Sequence, residues 1–366
     1  MLTITEKIRA NREQFLRGEF NFIPLPAEFG ILSEWYPGSQ RGEYVGITGG
    51  TSSAKSQVTR RMYLYGAIEF AIRNKMNMKV LWFGLEESKQ EAQYYLMSWL
   101  IHKISGKRYN IEDFEGIGKV MQEHDLHLLE KVKPVFDQFW AYIEFFDGTY
   151  NPLEIQDEVL RFAAGRGRFF FKGVEVHSPD HKTKIDEYRP NDPKEFVLTV
   201  IDHLALLDFM PGENSDRVTM IKMSKTIRQV FCKLLNYIGV AVLQQMSAME
   251  SIEHIKADMV YASLQGIGDA KTVARDMQTV IAITNLNRYG ITTALTSQKE
   301  IDKGKIDLKE SGIGDAQRVI GILKRRYGIV GRRALVLFDG CVGEFKGIRT
   351  FEDITAFANY INAHTN

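Results

Sequence analysis

The sequence predicts an α/β protein: a mostly parallel, twisted sheet with helices on both faces and a C-terminal β-hairpin. Three observations carry that expectation. Short apolar runs of strand length recur along the chain, separated by stretches long enough for helices. A Gly/Ser-rich loop joins the first of these runs to the first helical stretch. Two late apolar runs are linked by a connection short enough for a hairpin.

In chain order, residues 3–18 place Ile4, Ile8, Phe15 and Leu16 among charges at a loose helical spacing. The next stretch, Phe20-Asn-Phe-Ile-Pro-Leu-Pro, is too broken for a helix or a long strand. Residues 1–40 are therefore expected as a helical arm and an extended linker, and residues 41–350 as one α/β domain. Strands are expected at Tyr44-Val-Gly-Ile-Thr, Lys79-Val-Leu-Trp-Phe-Gly-Leu, Ala141-Tyr-Ile-Glu-Phe-Phe and Phe196-Val-Leu-Thr-Val-Ile. Further strands are expected at Val240-Ala-Val-Leu-Gln, Thr279-Val-Ile-Ala-Ile, Val319-Ile-Gly-Ile-Leu and Arg333-Ala-Leu-Val-Leu-Phe. Helices are expected over Ser56 to Arg73 and about Ser88 to Ile104. Residues 105–140 are charged and suit a helix, whereas 165–195 look irregular and polar; together, 105–195 form an expected insertion. Residues 351–366 are expected as a terminal helix or tail.

Composition narrows the function classes. The 47 Lys plus Arg against 46 Asp plus Glu leave a formal charge of +1, which gives no broad field for nucleic acid. Any such contact must come from local loops. No stretch approaches the roughly 20 apolar residues of a membrane span, and Met1-Leu-Thr-Ile-Thr-Glu-Lys lacks a signal-peptide core. A cytosolic protein is expected. Cys232 and Cys341 have no CxxC partner or nearby histidine, which favours buried free thiols over a metal site.

The chemistry concentrates in five segments. The first is Gly49-Gly50-Thr51-Ser52-Ser53-Ala54-Lys55-Ser56, with Gln57 next. It fits the phosphate-loop pattern GxxxxGK[ST] except that Ala54 replaces the second glycine. A polyphosphate needs converging backbone N–H groups, an ammonium on its terminal phosphates and a hydroxyl on magnesium. Lys55 and Ser56 supply the last two. The loop precedes an expected helix, whose N-terminus would face the anion. A Gly/Ser turn that happens to precede lysine is the plainer alternative, and the strand–helix context weighs against it. If position 54 needs a positive φ, alanine strains the loop.

The second segment, Phe196-Val-Leu-Thr-Val-Ile-Asp202, ends a strand in an acid suited to hold a magnesium water shell. The third, Leu81-Trp-Phe-Gly-Leu-Glu86-Glu87, ends a strand in two carboxylates able to orient or deprotonate water. Helix N-terminal acids favoured by the dipole explain them nearly as well. The fourth, Val242-Leu-Gln244-Gln245, offers a strand-end amide for a γ-phosphate, or simply a glutamine satisfied by its neighbours. The fifth, Lys324-Arg325-Arg326, is either a solvated basic turn or a set of arginine fingers that reach nucleotide across a subunit interface.

Taken in order, over about residues 20–348, these segments resemble the C-terminal, RecA-like P-loop motor domain of DnaB-family replicative helicases. That family carries a P-loop, a strand ending in Ser-Leu-Glu, an Asp-terminated strand, a strand ending in Ser-Gln and a Lys-x-Arg hairpin. The resemblance implies ATP and Mg2+ as cofactors, with residues 49–57 cradling the nucleotide and Ser56 and Asp202 at the metal. It implies Lys55 on the phosphates, Glu86 ahead of Glu87 as the catalytic carboxylate, Gln245 as γ-phosphate sensor, and Lys324 and Arg326 acting on the neighbour's ATP. It further implies a homo-oligomer, expected as a hexamer, that unwinds DNA in replication by moving on single-stranded DNA. A primase or helicase loader would be further partners, and no membrane is involved. Ile201-Asp-His-Leu-Ala-Leu-Leu and Ile322-Leu-Lys-Arg-Arg-Tyr-Gly are most similar to phage-encoded members, hence to a bacterial host cytosol.

In this family DNA is contacted by loops between the sensor strand and the next strand. Here that stretch is Met246 to Asp276, with Lys256, Lys271 and Arg275, and Gly266-Ile-Gly268 allows close approach to phosphate. Ordinary surface cations on a loop would look the same. The chain departs from the family at Ala54, in the long 105–195 stretch, and in having about 40 residues, not a collar domain, before the P-loop strand. The N-terminal arm is expected to dock on an adjacent subunit, as the family's linker helix does. Two other readings remain: a RecA-like DNA-dependent ATPase of recombination or loading that does not unwind, and a non-hydrolysing structural subunit, which only Ala54 favours.

Overall fold

The computed structural model describes residues 3–17, 20–117, 120–246, 260–267, 271–290, 293–294, 306–307, 314–348 and 351–363. Nine strands form its central sheet. In chain order they are β1 Tyr44–Gly49, β2 Met78–Gly84, β3 Ile143–Asp147, β4 Phe196–Asp202, β5 Ile238–Gln244, β6 Thr279–Thr284, β7 Gln317–Arg325, β8 Arg333–Asp339 and β9 Glu344–Gly347. Across the sheet the order is β9-β8-β7-β6-β1-β5-β4-β2-β3. The first six run parallel, while β7, β8 and β9 pair antiparallel along one side.

The central strands are apolar throughout because both of their faces are covered. Successive side chains point to opposite faces. Val45, Val80, Trp82, Leu198 and Val200 join one core, and Tyr44, Leu81, Phe83, Val197 and Ile201 the other. The N-terminal arm, α1 Ile4–Leu16, buries no residue and closes neither core. The first face is covered by α2, which runs through Lys55–Arg60, a π-helical Arg61–Tyr65 and Gly66–Arg73. Beside it lie α3 Lys89–Ser105 and α4 Glu123–Trp140. The second face carries α5 Pro152–Ala164 and α6, which runs through Asp216–Thr226 and Ile227–Leu234. Capping chemistry starts several of these helices: Ser88 and Glu91 exchange side-chain and backbone bonds at α3, and Asn151 caps α5 with Pro152 in its first turn. A short helix, α7 Lys271–Asp276, packs on α6, and α8 Phe351–Ala363 covers β8.

The linker is less extended than its sequence suggests. Phe22–Pro24 pairs antiparallel with Gly38–Gln40, and Ile23, Phe29, Leu32 and Trp35 enter the first core. The stretch 165–195, expected to be irregular, holds three antiparallel strands, Gly167–Phe171, Val174–Val176 and Glu187–Pro190. The first two are joined by a two-residue turn in which Lys172 and Gly173 both have positive φ, the geometry that tight hairpins favour. The longer 105–195 stretch is built into the sheet: β3 pairs with β2, and α4 and α5 lie on opposite faces. Both cysteines are free; Cys232 is buried, its thiol pushed up to about 12 by burial, but Cys341 is only partly covered. Among the described residues no helix is long and apolar enough to cross a membrane.

Candidate active site

The carboxyl ends of β1, β2, β4 and β5 are level: Gly84 pairs with Asp202, and Gln244 with Gly49. The connections leaving these ends enclose an open cleft of about 340 Å³, lined by Thr51 to Gln57, Arg60, Glu86, Glu87, Glu91, Tyr95, Asp202, His203 and Gln244. Lys55, Ser56, Asp202 and Glu86 are thus brought to one place. This is the edge where α/β sheets offer a crevice and helix N-termini point at an anion.

The phosphate-type loop is tight. A Cβ on Gly49 would lie 2.4 Å from Ser53 Oγ and 2.5 Å from the Ile283 carbonyl oxygen, so only glycine fits. Ala54 adopts φ 74° and ψ 33°, the left-handed conformation that glycine would take without strain. Lys55 is 9% exposed and its Nζ donates to the Gly50 carbonyl at 2.8 Å. Ser53 Oγ is buried with no hydrogen-bond partner among the described residues. Two residues of the loop after β6 brace this turn: Arg288 donates to the Thr51 carbonyl at 2.6 Å, and Asn285 to the Ser52 carbonyl at 3.4 Å.

Asp202 is 3% exposed. Burial raises its pKa, while Arg60, a hydrogen bond from Ser56, and Lys55 act to lower it. Its Oδ1 is buried without a hydrogen-bond partner among the described residues. The two carboxylates after β2 differ sharply. The Glu86 side chain is 64% exposed, with its carboxylate 3.9 Å from His203 Nε2. Glu87 is buried, ion-paired with Arg60 and hydrogen-bonded by Trp82 Nε1 at 3.2 Å. Burial raises the Glu87 pKa against the opposing pull of Arg60. Burial also lowers the pKa of His203, with Glu86 acting the other way.

Strand alternation separates the two glutamines. Gln244 lines the cleft and its Nε2 donates to Thr51 Oγ1 at 3.1 Å. Gln245, expected at a γ-phosphate, is instead buried: Nε2 donates to Thr48 Oγ1 at 2.8 Å and to the Ser263 carbonyl at 3.0 Å, and Oε1 accepts from the Ser263 amide at 3.2 Å. The hairpin cations also part company. Lys324, expected to reach a neighbour, donates to the carbonyls of Ala274 (2.7 Å) and Arg275 (3.0 Å), capping the end of α7. Arg325 donates to the Trp35 carbonyl, leaving Arg326 over the ring of exposed Tyr327. Arg325 pairs with Thr279 at the start of β6, whereas Ile283 of β6 pairs with Gly49. The length of β6 between those positions puts Arg326 roughly 13 Å or more of strand from the loop of its own chain.

Of the residues expected at DNA, Lys256 lies outside the described residues. Lys271 opens α7, and Arg275 is exposed near its end, beside the hairpin. Sequence reasoning passed over Arg60, Tyr95, His203, Gln244, Asn285 and Arg288. Arg60 had a legible signal, since it follows Ser56 by four residues on one helix and so shares its face. Asn285 and Arg288 had none, because only the pairing of β6 with β1 brings them to the loop.

Strand order, a phosphate-type loop leaving a central parallel strand and an acid at the end of β4 together define the RecA-like P-loop architecture. The chain is similar to two solved structures over 95% of its length. The ATPase domain of a phage DnaB-like helicase matches at 15% identity and TM-score 0.63, with 99% of that chain covered. A structure described as a DnaB-like replicative helicase and its interactions with primase matches at 14% identity and TM-score 0.61, with 68% of that chain covered. The fold is therefore that of the DnaB-like helicase motor domain, as the sequence motifs led one to expect. No protein-family model matches the chain, and no curated protein does.

Proposed function

We propose that the chain is the ATP-hydrolysing subunit of a homo-oligomeric motor, a hexamer, that moves on single-stranded DNA and unwinds duplex during replication in a bacterial or phage-infected cytosol. The observation behind this reading is the division of the site. Lys55, Ser56, Asp202 and Glu86 share one sheet edge, while the exposed Arg326 stands at the other, out of reach of its own loop.

The residues at the cleft suit Mg-ATP. Ser56 Oγ beside a buried carboxylate with an unpartnered oxygen is a hard-oxygen donor set, the kind magnesium takes. Bound there, magnesium would supply positive charge to the β- and γ-phosphate oxygens. Lys55 would exchange the Gly50 carbonyl for phosphate, and the loop amides of residues 50–56 would cradle it. Glu86 would orient the attacking water, and Arg326 of one copy would steady charge on the nucleotide of the next. Gln244 is the amide nearer the phosphates, and Gln245 would pass a change at Thr48 to Ser263 and the segment beyond it. Lys256, Lys271 and Arg275 would meet the DNA backbone without reading sequence. A primase or a loader would join as a partner.

Phosphate release with and without single-stranded DNA, ATP binding and forked-duplex unwinding test the reading. Lys55→Ala is expected to abolish hydrolysis and unwinding. Arg326→Ala is expected to lower hydrolysis by about 10³-fold while ATP binding stays within a few-fold. Full hydrolysis by the Arg326 variant would end the trans assignment. Hydrolysis without strand release by the native chain would leave a DNA-dependent ATPase that does not unwind.

A further inference from the structure

We propose that Arg60 and Glu87 are a positioning pair that fixes the turn carrying Glu86 against the helix carrying Lys55 and Ser56. The inference deepens, and rests on, the hydrolytic reading of the cleft.

Two charged side chains with 6% and 10% exposure meet at the floor of the cleft, although neither has a part in the reaction above. Arg60 stands one helical turn beyond Ser56, directly below the phosphate-facing end of α2. Its guanidinium is held over the Tyr95 ring of α3, 4.1 Å from the centroid, and ion-paired with Glu87. The second Glu87 oxygen accepts from Trp82 Nε1 at 3.2 Å. Gly84 makes this inward fold feasible. A Cβ there would lie 3.2 Å from Glu87 Cγ, 3.3 Å from Trp82 Nε1 and 2.6 Å from Phe145 Cζ.

The residues flanking Glu86 are therefore both pinned. On one side, the Leu85 amide donates to the Asp202 carbonyl at 2.9 Å. On the other, the Glu87 side chain is tied to α2 and to β2. Glu86 itself lines the cleft with most of its side chain exposed. Its placement over the nucleotide is thus set by the backbone on either side, and Arg60–Glu87 is the link between the water-orienting turn and the phosphate-holding helix. A carboxylate that must hold water in line tolerates little displacement: a shift of about 1 Å costs on the order of 100-fold in rate.

Removing one partner strands a buried charge and can unfold the chain, so the test uses a matched pair. Arg60→Met with Glu87→Met keeps much of the side-chain volume and removes the link. Its folding is checked by circular dichroism, its affinity with a fluorescent ATP analogue, and its single-turnover hydrolysis by phosphate release. The expected result is a folded protein whose analogue affinity stays within about threefold while the hydrolysis rate falls at least about tenfold. Glu87→Gln, whose amide oxygen still accepts from Trp82 and Arg60, is expected to retain at least about fivefold more activity than the Met pair. A folded Met pair hydrolysing at the native rate would overturn the proposal, as would Glu87→Gln falling to the level of the Met pair. Glu86→Gln is measured alongside: undiminished hydrolysis by that variant would remove the hydrolytic reading itself, independently of the pair.

Discussion

Replacing Ala54 with glycine should make the protein more stable, the reverse of the usual effect of glycine. Ala54 is held at φ 74° and ψ 33°, where its Cβ crowds the backbone. That conformation costs an L-residue about 1–2 kcal/mol. Glycine avoids the cost but loses about 0.5–1 kcal/mol through its greater freedom in the unfolded chain. A net gain of about 0.5–1 kcal/mol remains. Valine, branched at Cβ, should lose about 2 kcal/mol relative to alanine at the same position. Urea unfolding of the three proteins, without nucleotide, measures the series. The expected order of midpoints is glycine, alanine, valine, with an overall span of about 2–3 kcal/mol. Glycine at or below alanine, with valine unchanged, would mean that the loop does not hold position 54 in the left-handed region.

Two further predictions concern the periphery. Lys324→Met should withdraw two charge-assisted hydrogen bonds from the end of α7 and cost about 1–3 kcal/mol locally. Amide exchange within residues 271–276 should accelerate, and unaltered protection there would show that Lys324 does not cap the helix. Burial works against the Asp125 carboxylate, but hydrogen bonds from Tyr109, the Gln122 amide and Lys107 outweigh it and hold its pKa down to about 2. Because the folded pKa lies below the unfolded one of about 3.9, the stabilisation is complete above that value and disappears as pH falls through about 2. The stability gap between the native chain and Asp125→Asn should therefore be constant from pH 7 to 5 and close between pH 4 and 2; a gap that persists at pH 2 would contradict it.

The strands were legible because a parallel strand covered on both faces is an apolar run bounded by polar turns, whatever its neighbours. Lys55, Ser56, Glu86 and Asp202 were legible because each stands just beyond or at the end of such a run, and parallel strands bring their ends together. Partners were harder to foresee. Whether Gln244 or Gln245 faces the cleft depends on a strand's phase, and a one-residue slip exchanges them. Lys324 bonds to carbonyls about 50 positions away, a pairing that emerges only after β6 and β7 align. Glu86 and Glu87 are alike in sequence; the space above Gly84 separates them, allowing one carboxylate to turn inward. The hairpin at Lys172–Gly173 was missed because lysine gives no warning of a positive φ.

The distance between Arg326 and the loop of its own chain has a geometric corollary. If an arginine at one pole completes a pocket at the opposite pole of another copy, the contact is head-to-tail and unlike surfaces meet. Two copies related by a twofold axis cannot satisfy it. An open row of any length leaves its last pocket unfinished, and only closure on itself equips every member. Such a circle has a handed sense of travel written into each subunit before any track is threaded through it.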